Sequence, residues 1–136
     1  MKPRVLLLND GAETSAGKIA RRLTRRGAEV AVIPLSALAF DSTAPAGLAI
    51  PAFGGRLPHA VLVRSIAAGS FEAITRRLGV LHALGRLGVL VWNSAQAIER
   101  CVDKSMTTFL LGQAGLPTPP TFAVEGRVAA ERIAVR

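Results

Sequence analysis

A few short runs hold the residues that could do chemistry, and Lys104 is the sharpest of them. It follows Asp103 at the opening of a run, Asp103 to Gly115, that reads as a helix. Asp103 can cap it, Met106, Phe109, Leu110 and Ala114 share one side, and Gly115 and Pro117 end it. The first turn of a helix has unpaired backbone N–H groups and a dipole that favours an anion. A lysine there mildly opposes the helix, so it has a use only if it meets a phosphate or a carboxylate. The blander reading is a surface lysine, since lysines on helices are common. Arg64 is the second candidate. It directly follows an apolar run, Ala60 to Val63, and offers a planar fork for carboxylate or phosphate.

Three strand-like runs end in polar pairs: Asn9-Asp10, Arg64-Ser65 and Asn93-Ser94. In a parallel sheet, ligands gather beyond the carboxyl ends of the strands, so Arg64, Ser65 and Asn93 are candidates to line a substrate cleft. Strands exit into polar loops in any case, which is the structural alternative. The run Ala12 to Ile19 (AETSAGKI) brushes against the phosphate-loop pattern G-x-x-x-x-G-K-[ST]. Ala12 replaces its first glycine and Ile19 the hydroxyl that holds magnesium, so Lys18 reads as a surface residue. His59 and His82 have no carboxylate or Cys at ligand spacing and read as structural or solvent-facing. Cys101 reads as a small buried hydrophobe, and Trp92 and Phe109 as core. No Ser-His-Asp or Cys-His arrangement is present, so neither a catalytic residue nor a metal site is assigned.

The elements that must position these residues follow from periodicity. Arg4 to Leu8 is a continuous apolar strand, as expected where both faces are covered. Ser15 is expected to cap a helix with Ala16, Ile19, Ala20 and Leu23 on its inner side. Gly27 closes that helix and Glu29 to Pro34 is the next strand, completing a right-handed βαβ unit. Leu35 to Pro58 dissolves into Ala, Pro, Gly and Ser, a long connection expected to hold a short helical or extended piece. Ala60 to Val63 is a third strand. Ser70 then opens a helix to Leu87 with Phe71, Ile74, Leu78 and Leu81 as its core stripe. Val80, Leu84 and Leu87 widen that stripe enough to serve a second surface. Val89 to Trp92 is the fourth strand, and Ser94 can cap a short helix over Ala95 to Arg100. This alternation is that of a doubly wound parallel sheet. Beyond Pro120, an extended piece (Thr121 to Val124) and a helical tail (Arg127 to Arg136) end without a cap, like an interrupted unit.

With 136 residues, half of them hydrophobic, the chain has the profile of a globular α/β protein. Its single cysteine rules out an internal disulfide and fits a reducing, cytoplasmic setting. No apolar run is long enough for a membrane span, and the amino terminus shows no signal-peptide pattern. The net charge of +8 comes almost wholly from arginine. Arg21, Arg22, Arg25 and Arg26 lie opposite Ile19 and Leu23 on one helix without interleaved aromatics, so nucleic acid is an unlikely partner.

Two runs, Val63 to Gly79 and Asn93 to Pro119, resemble the amino-terminal part of an ATP-grasp enzyme, and RimK-type glutamate ligases in particular. The most specific part is the "DK…T…LL…AGLPTP" pattern: Asp103-Lys104, Thr108, Leu110-Leu111 and Ala114 to Pro119. The resemblance implies that residues 1–95 form the Rossmann-like pre-ATP-grasp domain and residues 96–136 the first elements of a truncated ATP-grasp domain. It implies ATP and magnesium as cofactors, with Lys104 on the nucleotide phosphates. It also implies an acyl-phosphate route that joins a small-molecule or peptide carboxylate to an amine, adding glutamate to a protein or cofactor. The family's second lysine, glycine-rich loop and magnesium ligands are not in this sequence. The chain is therefore expected to be inactive alone. A non-catalytic binding or oligomerisation module of the same fold, forming a homo-oligomer, is the alternative.

Overall fold

Leu6, Leu7 and Leu8 are all 0% exposed, three in succession, so both faces of the first strand are covered. The computed structural model of the chain describes residues 1–11 and 14–134. They divide into two compact units, Met1–Ala95 and Gln96–Arg136.

In the first unit the strands, in chain order, are β1 (Arg4–Leu8), β2 (Glu29–Ile33), β3 (Ala39–Phe40), β4 (Leu48–Ala49), β5 (Ala60–Val63) and β6 (Leu90–Trp92). Helices α1 (Thr14–Arg25) and α2 (Phe71–Arg86) complete it. The main sheet is parallel with order β2-β1-β5-β6. The expected connection piece is the antiparallel hairpin β3-β4, flanked by single 3-10 turns at Leu35–Ala37 and Phe53–Gly55. From β1 the chain moves outward to β2, then returns past β1 to β5 and outward again to β6. Right-handed crossovers running in opposite directions put their connections on opposite faces, which is why β1 is covered twice.

Local chemistry sets the ends of α2. The Ser70 hydroxyl accepts the amide of Ala73 at 3.3 Å. The carboxyl of Glu72 is held below its ordinary value by its own backbone N–H and then by Ser70. At the other end Gly88 takes φ +79, and the Val89 amide reaches back to the Leu84 carbonyl at 3.1 Å. Val80, Leu81 and Leu84 are buried, so the widened stripe of α2 is largely consumed within its own unit.

Three expectations for this unit need correction. Trp92 is 67% exposed and not core. It lies with Leu90 on one face of β6, an edge strand paired on one side only. Phe71, expected in the α2 stripe, is 82% exposed because it occupies the first helical position, beyond the sheet contact. α1 begins at Thr14, so Ser15 lies inside the first turn instead of capping it. The position before Thr14 and the whole Ala12–Glu13 part of the phosphate-loop-like run lie outside the described residues.

The second unit carries α3 (Ala95–Val102, starting at the last residue of the first unit), α4 (Lys104–Gln113) and α5 (Arg127–Ala134). The last two residues of the expected tail helix lie outside the described residues. None of residues 96–134 is buried. Phe109 is 59% exposed and Cys101 is exposed, both against expectation. A unit this small, made of short helices, has too little interior to enclose large side chains.

Candidate functional site

The strand order reverses at β1, so the carboxyl ends of β1 and β5 flank a topological switch point, the place where open α/β sheets take ligands. The residues delivered there are Asn9, Asp10 and Gly11 from β1, and Arg64 and Ser65 from β5. Parallel pairing fixes their level: Leu8 stands opposite Val63, and the Arg64 amide donates to the Leu8 carbonyl at 2.8 Å.

Ser65 ties the two exits together. Its hydroxyl accepts the amides of Asp10 at 2.9 Å and Gly11 at 3.0 Å, and donates to Asn9 Oδ1 at 3.1 Å. A serine hydroxyl has one proton and two lone pairs, and all three are used. Ser65 therefore shapes the crest through its position. Asn9 Nδ2 donates to the Gly11 carbonyl at 2.9 Å, so the β1 exit is also folded on itself. Asp10 Oδ2 accepts the Ala67 amide at 2.9 Å, which pins the loop after β5 to the end of β1.

Asn93, at the end of β6, donates through Nδ2 to the Val63 carbonyl at 3.0 Å, one residue before Arg64. The structure thus brings Ser65 and Asn93 to the two flanks of the β5 exit. The Arg64 side chain is exposed, and no hydrogen bond or ion pair holds it among the described residues. It is an untethered cation on a crest where Asn9, Asp10, Ser65 and Asn93 are all hydrogen-bonded.

Arg77 is a loop anchor beside the crest that sequence reasoning missed. From α2 it donates through Nη1 to the Ala67 carbonyl at 2.6 Å, gripping the far side of the same loop, while its buried Nε has no partner. Gly69 makes room for it: a Cβ there would stand 3.2 Å from Arg77 Nη1. The adjacent Arg76 donates to the Leu38 carbonyl at 3.0 Å. Two consecutive arginines on a helix look like a solvated face in sequence, and no residue-type signal marks both as loop anchors. His59 is structural as expected, its Nδ1 accepting the Arg4 amide at 2.9 Å.

Lys104 belongs to the second unit and is described by its own surroundings. Asp103 caps α4, its Oδ1 accepting the Met106 amide at 2.9 Å. Lys104 is the first helical residue and is exposed, and Gly115 takes φ +69 beyond the other end. One cation beside the free N–H groups of a ten-residue helix suits a phosphate oxygen. Among the described residues no three His, Cys, Asp or Glu side chains stand together as metal ligands. No helix among them is long and apolar enough to cross a membrane.

No family model matches the sequence. Over 75 residues, 55% of the chain, it is 43% identical to the tetrahydromethanopterin:alpha-L-glutamate ligase of Methanosarcina acetivorans, spanning 23% of that enzyme. The fold matches the ATP-grasp ligase PsnB complexed with a minimal precursor, with TM-score 0.65 at 20% identity. That match covers 98% of this chain and 50% of the ligase. PsnB complexed with a phosphomimetic variant of the minimal precursor, Mg and ADP matches equally, with TM-score 0.65 at 20% identity over 99% of this chain and 52% of that one. The chain is thus similar to the amino-terminal portion of ATP-grasp ligases, and spans about a quarter of the curated relative and about half of the solved one.

Proposed function

We propose, for a chain with the fold of the amino-terminal half of an ATP-grasp ligase, that it serves as the corresponding part of an ATP-dependent carboxylate–amine ligase that adds glutamate. The single observation that carries this reading is the 43% identity over 75 residues to a glutamate ligase. Lys104 binds a nucleotide phosphate. Arg64 engages the carboxylate of the acid or of glutamate, on a crest that Ser65 and Asn93 hold in shape.

ATP supplies the energy to activate the acid in such ligases, and a bound magnesium ion neutralises the phosphates during transfer. This chain's residues orient and bind. They do not supply the ligands for the ion, so no phosphoryl-transfer step is assigned to them. The chain matches about half of the solved ligase, and the unmatched half of that fold is where those groups would lie. The chain by itself is inactive and binds nucleotide weakly, since one charged contact contributes only about 1.5–3 kcal/mol.

The test is a chimera that joins the chain to the downstream portion of the Methanosarcina acetivorans enzyme. ADP release that depends on glutamate is the expected result. A chimera that unfolds cooperatively, and is therefore folded, yet releases no ADP in response to glutamate would overturn the reading. So would glutamate ligation by the unextended chain.

A further inference from the structure

Away from the crest, α1 carries a stripe of one sign. Lys18, Arg21, Arg22 and Arg25 recur at helical spacing and Arg26 follows directly; all five are exposed. At 3.6 residues per turn the first four fall within an arc of about 100°. α1 itself contains no acidic residue, and none of the five makes an ion pair among the described residues.

The helix dipole accounts for only part of this. Arg22 and Arg25 lie in the last turn, where a cation is favourable, but Lys18 and Arg21 lie earlier and gain nothing from it. An ordinary solvated face also mixes its signs, which avoids repulsion between neighbours at i and i+4. Here Lys18–Arg22 and Arg21–Arg25 are both like-charge pairs at that spacing.

The surface is also grooved. Arg22, Arg25 and Arg26 rim a shallow depression whose floor is Ile19 and Leu23. A second depression, beside Lys18 and Arg21, shares Ile19. Both apolar residues are partly buried on the inner side of α1, so the apolar surface on offer is their outer edge beside the cations.

We infer that this face of α1 docks an acidic polypeptide segment, with carboxylates on the arginine rim and an apolar side chain on the Ile19–Leu23 floor. Charge complementarity selects a polyanion. The apolar floor, together with the absence of aromatic side chains from the stripe, favours a peptide over a nucleic acid, whose bases need stacking platforms. α1 leaves the crest at the end of β1 and returns toward the start of β2, so Arg22, Arg25 and Arg26 stand at the end of the sheet remote from Arg64. Docking here goes beyond the ligase reading and does not depend on it.

The experiment uses the full chain and fluorescence anisotropy. The probes are a labelled ten-residue glutamate peptide with one central leucine, the same peptide with serine in place of leucine, and an oligothymidine of equal length. The leucine peptide is expected to bind tightest and to weaken steeply as salt rises from about 50 to 200 mM. Arg22→Glu with Arg25→Glu is expected to cost about ten-fold or more in affinity. Lys18→Ala with Arg21→Ala, outside the last turn, is a second variant that keeps the test valid if the first unfolds. Arg100→Ala, exposed and outside the stripe, is expected to leave peptide binding unchanged. Three results would each overturn the inference: no peptide binding at the lower salt, an oligothymidine that binds as tightly as the leucine peptide, or affinity within about two-fold of the parent in both stripe variants.

Discussion

The Ser65 hydroxyl stands 2.9 Å from the amide of Asp10, so a side chain at the end of β5 caps the backbone leaving β1. The same oxygen takes the Gly11 amide at 3.0 Å. Ser65→Ala removes the acceptor for both. Loss of a hydrogen bond with the partner left unpaired costs about 1–3 kcal/mol, and water can replace the exposed Gly11 contact. The expected loss is therefore about 1 kcal/mol, read as a lower urea midpoint at unchanged slope. A midpoint equal to the parent's would show that the crest does not need this tie.

Gly85 and Gly88 should respond to alanine with opposite signs. Neither has an atom within 4 Å of where a Cβ would go, so sterics with neighbours play no part. Gly88 holds φ +79, where an L side chain is strained, and Gly88→Ala should destabilise by about 1 kcal/mol. Gly85 lies in the last turn of α2, and Gly85→Ala should stabilise by about 0.5 kcal/mol. Thermal unfolding of the two variants side by side checks both signs.

Asp41 gives a titration prediction. Its carboxyl is held below the ordinary value first by the Thr43 hydroxyl, 2.6 Å from Oδ1, and then by the Thr43 amide at 2.9 Å. A depressed folded-state pKa contributes stability above the unfolded-state value and loses it as pH falls through the folded one. Thr43→Val removes the larger cause and keeps the amide. The Asp41 pKa should then rise part of the way toward its ordinary value, as followed by side-chain carboxyl shifts in NMR. An Asp41 titration unaffected by Thr43→Val would mean the hydroxyl contact does not persist in solution.

What the sequence reveals and what it conceals divide along the range of the forces involved. The parallel strands, the Ser70 and Asp103 caps and the Gly88 and Gly115 stops were legible because each depends on residues within one turn of it. Trp92, Phe71 and Phe109 were misjudged because apolarity indicates what a side chain favours and not whether another layer exists to cover it. β6 is an edge strand, and no described residue of the second unit, from Gln96 on, is buried. At the crest, the polar pairs were visible as strand exits. The ties that organise them through Ser65 and Asp10 span 54 to 57 positions. Strand order alone determines such contacts, and periodicity does not encode that order. Arg77 was hidden for a different reason: its partners Ala67 and Ala68 lie only ten and nine positions away but offer only backbone carbonyls, which no residue type marks.

Lys104 separates binding from folding, because its two expected effects run in opposite directions. The Asp103 carboxylate already serves the Met106 amide and favours the helix N-terminus, whereas the adjacent ammonium opposes the dipole there. Lys104→Ala should therefore leave the stability of α4 unchanged or raise it by a few tenths of a kcal/mol. In the chimera with the downstream ligase segment, the same change should weaken apparent ATP affinity about ten-fold, the loss of one charge-assisted contact. Lys104→Arg should restore most of that affinity, because a cation remains within reach of the phosphates. Asp103→Ala provides the converse, destabilising α4 by about 1 kcal/mol through the lost cap. If Lys104→Ala instead lowers stability and leaves ATP affinity at the parent value, the lysine is a structural residue of α4 and the phosphate contact belongs elsewhere.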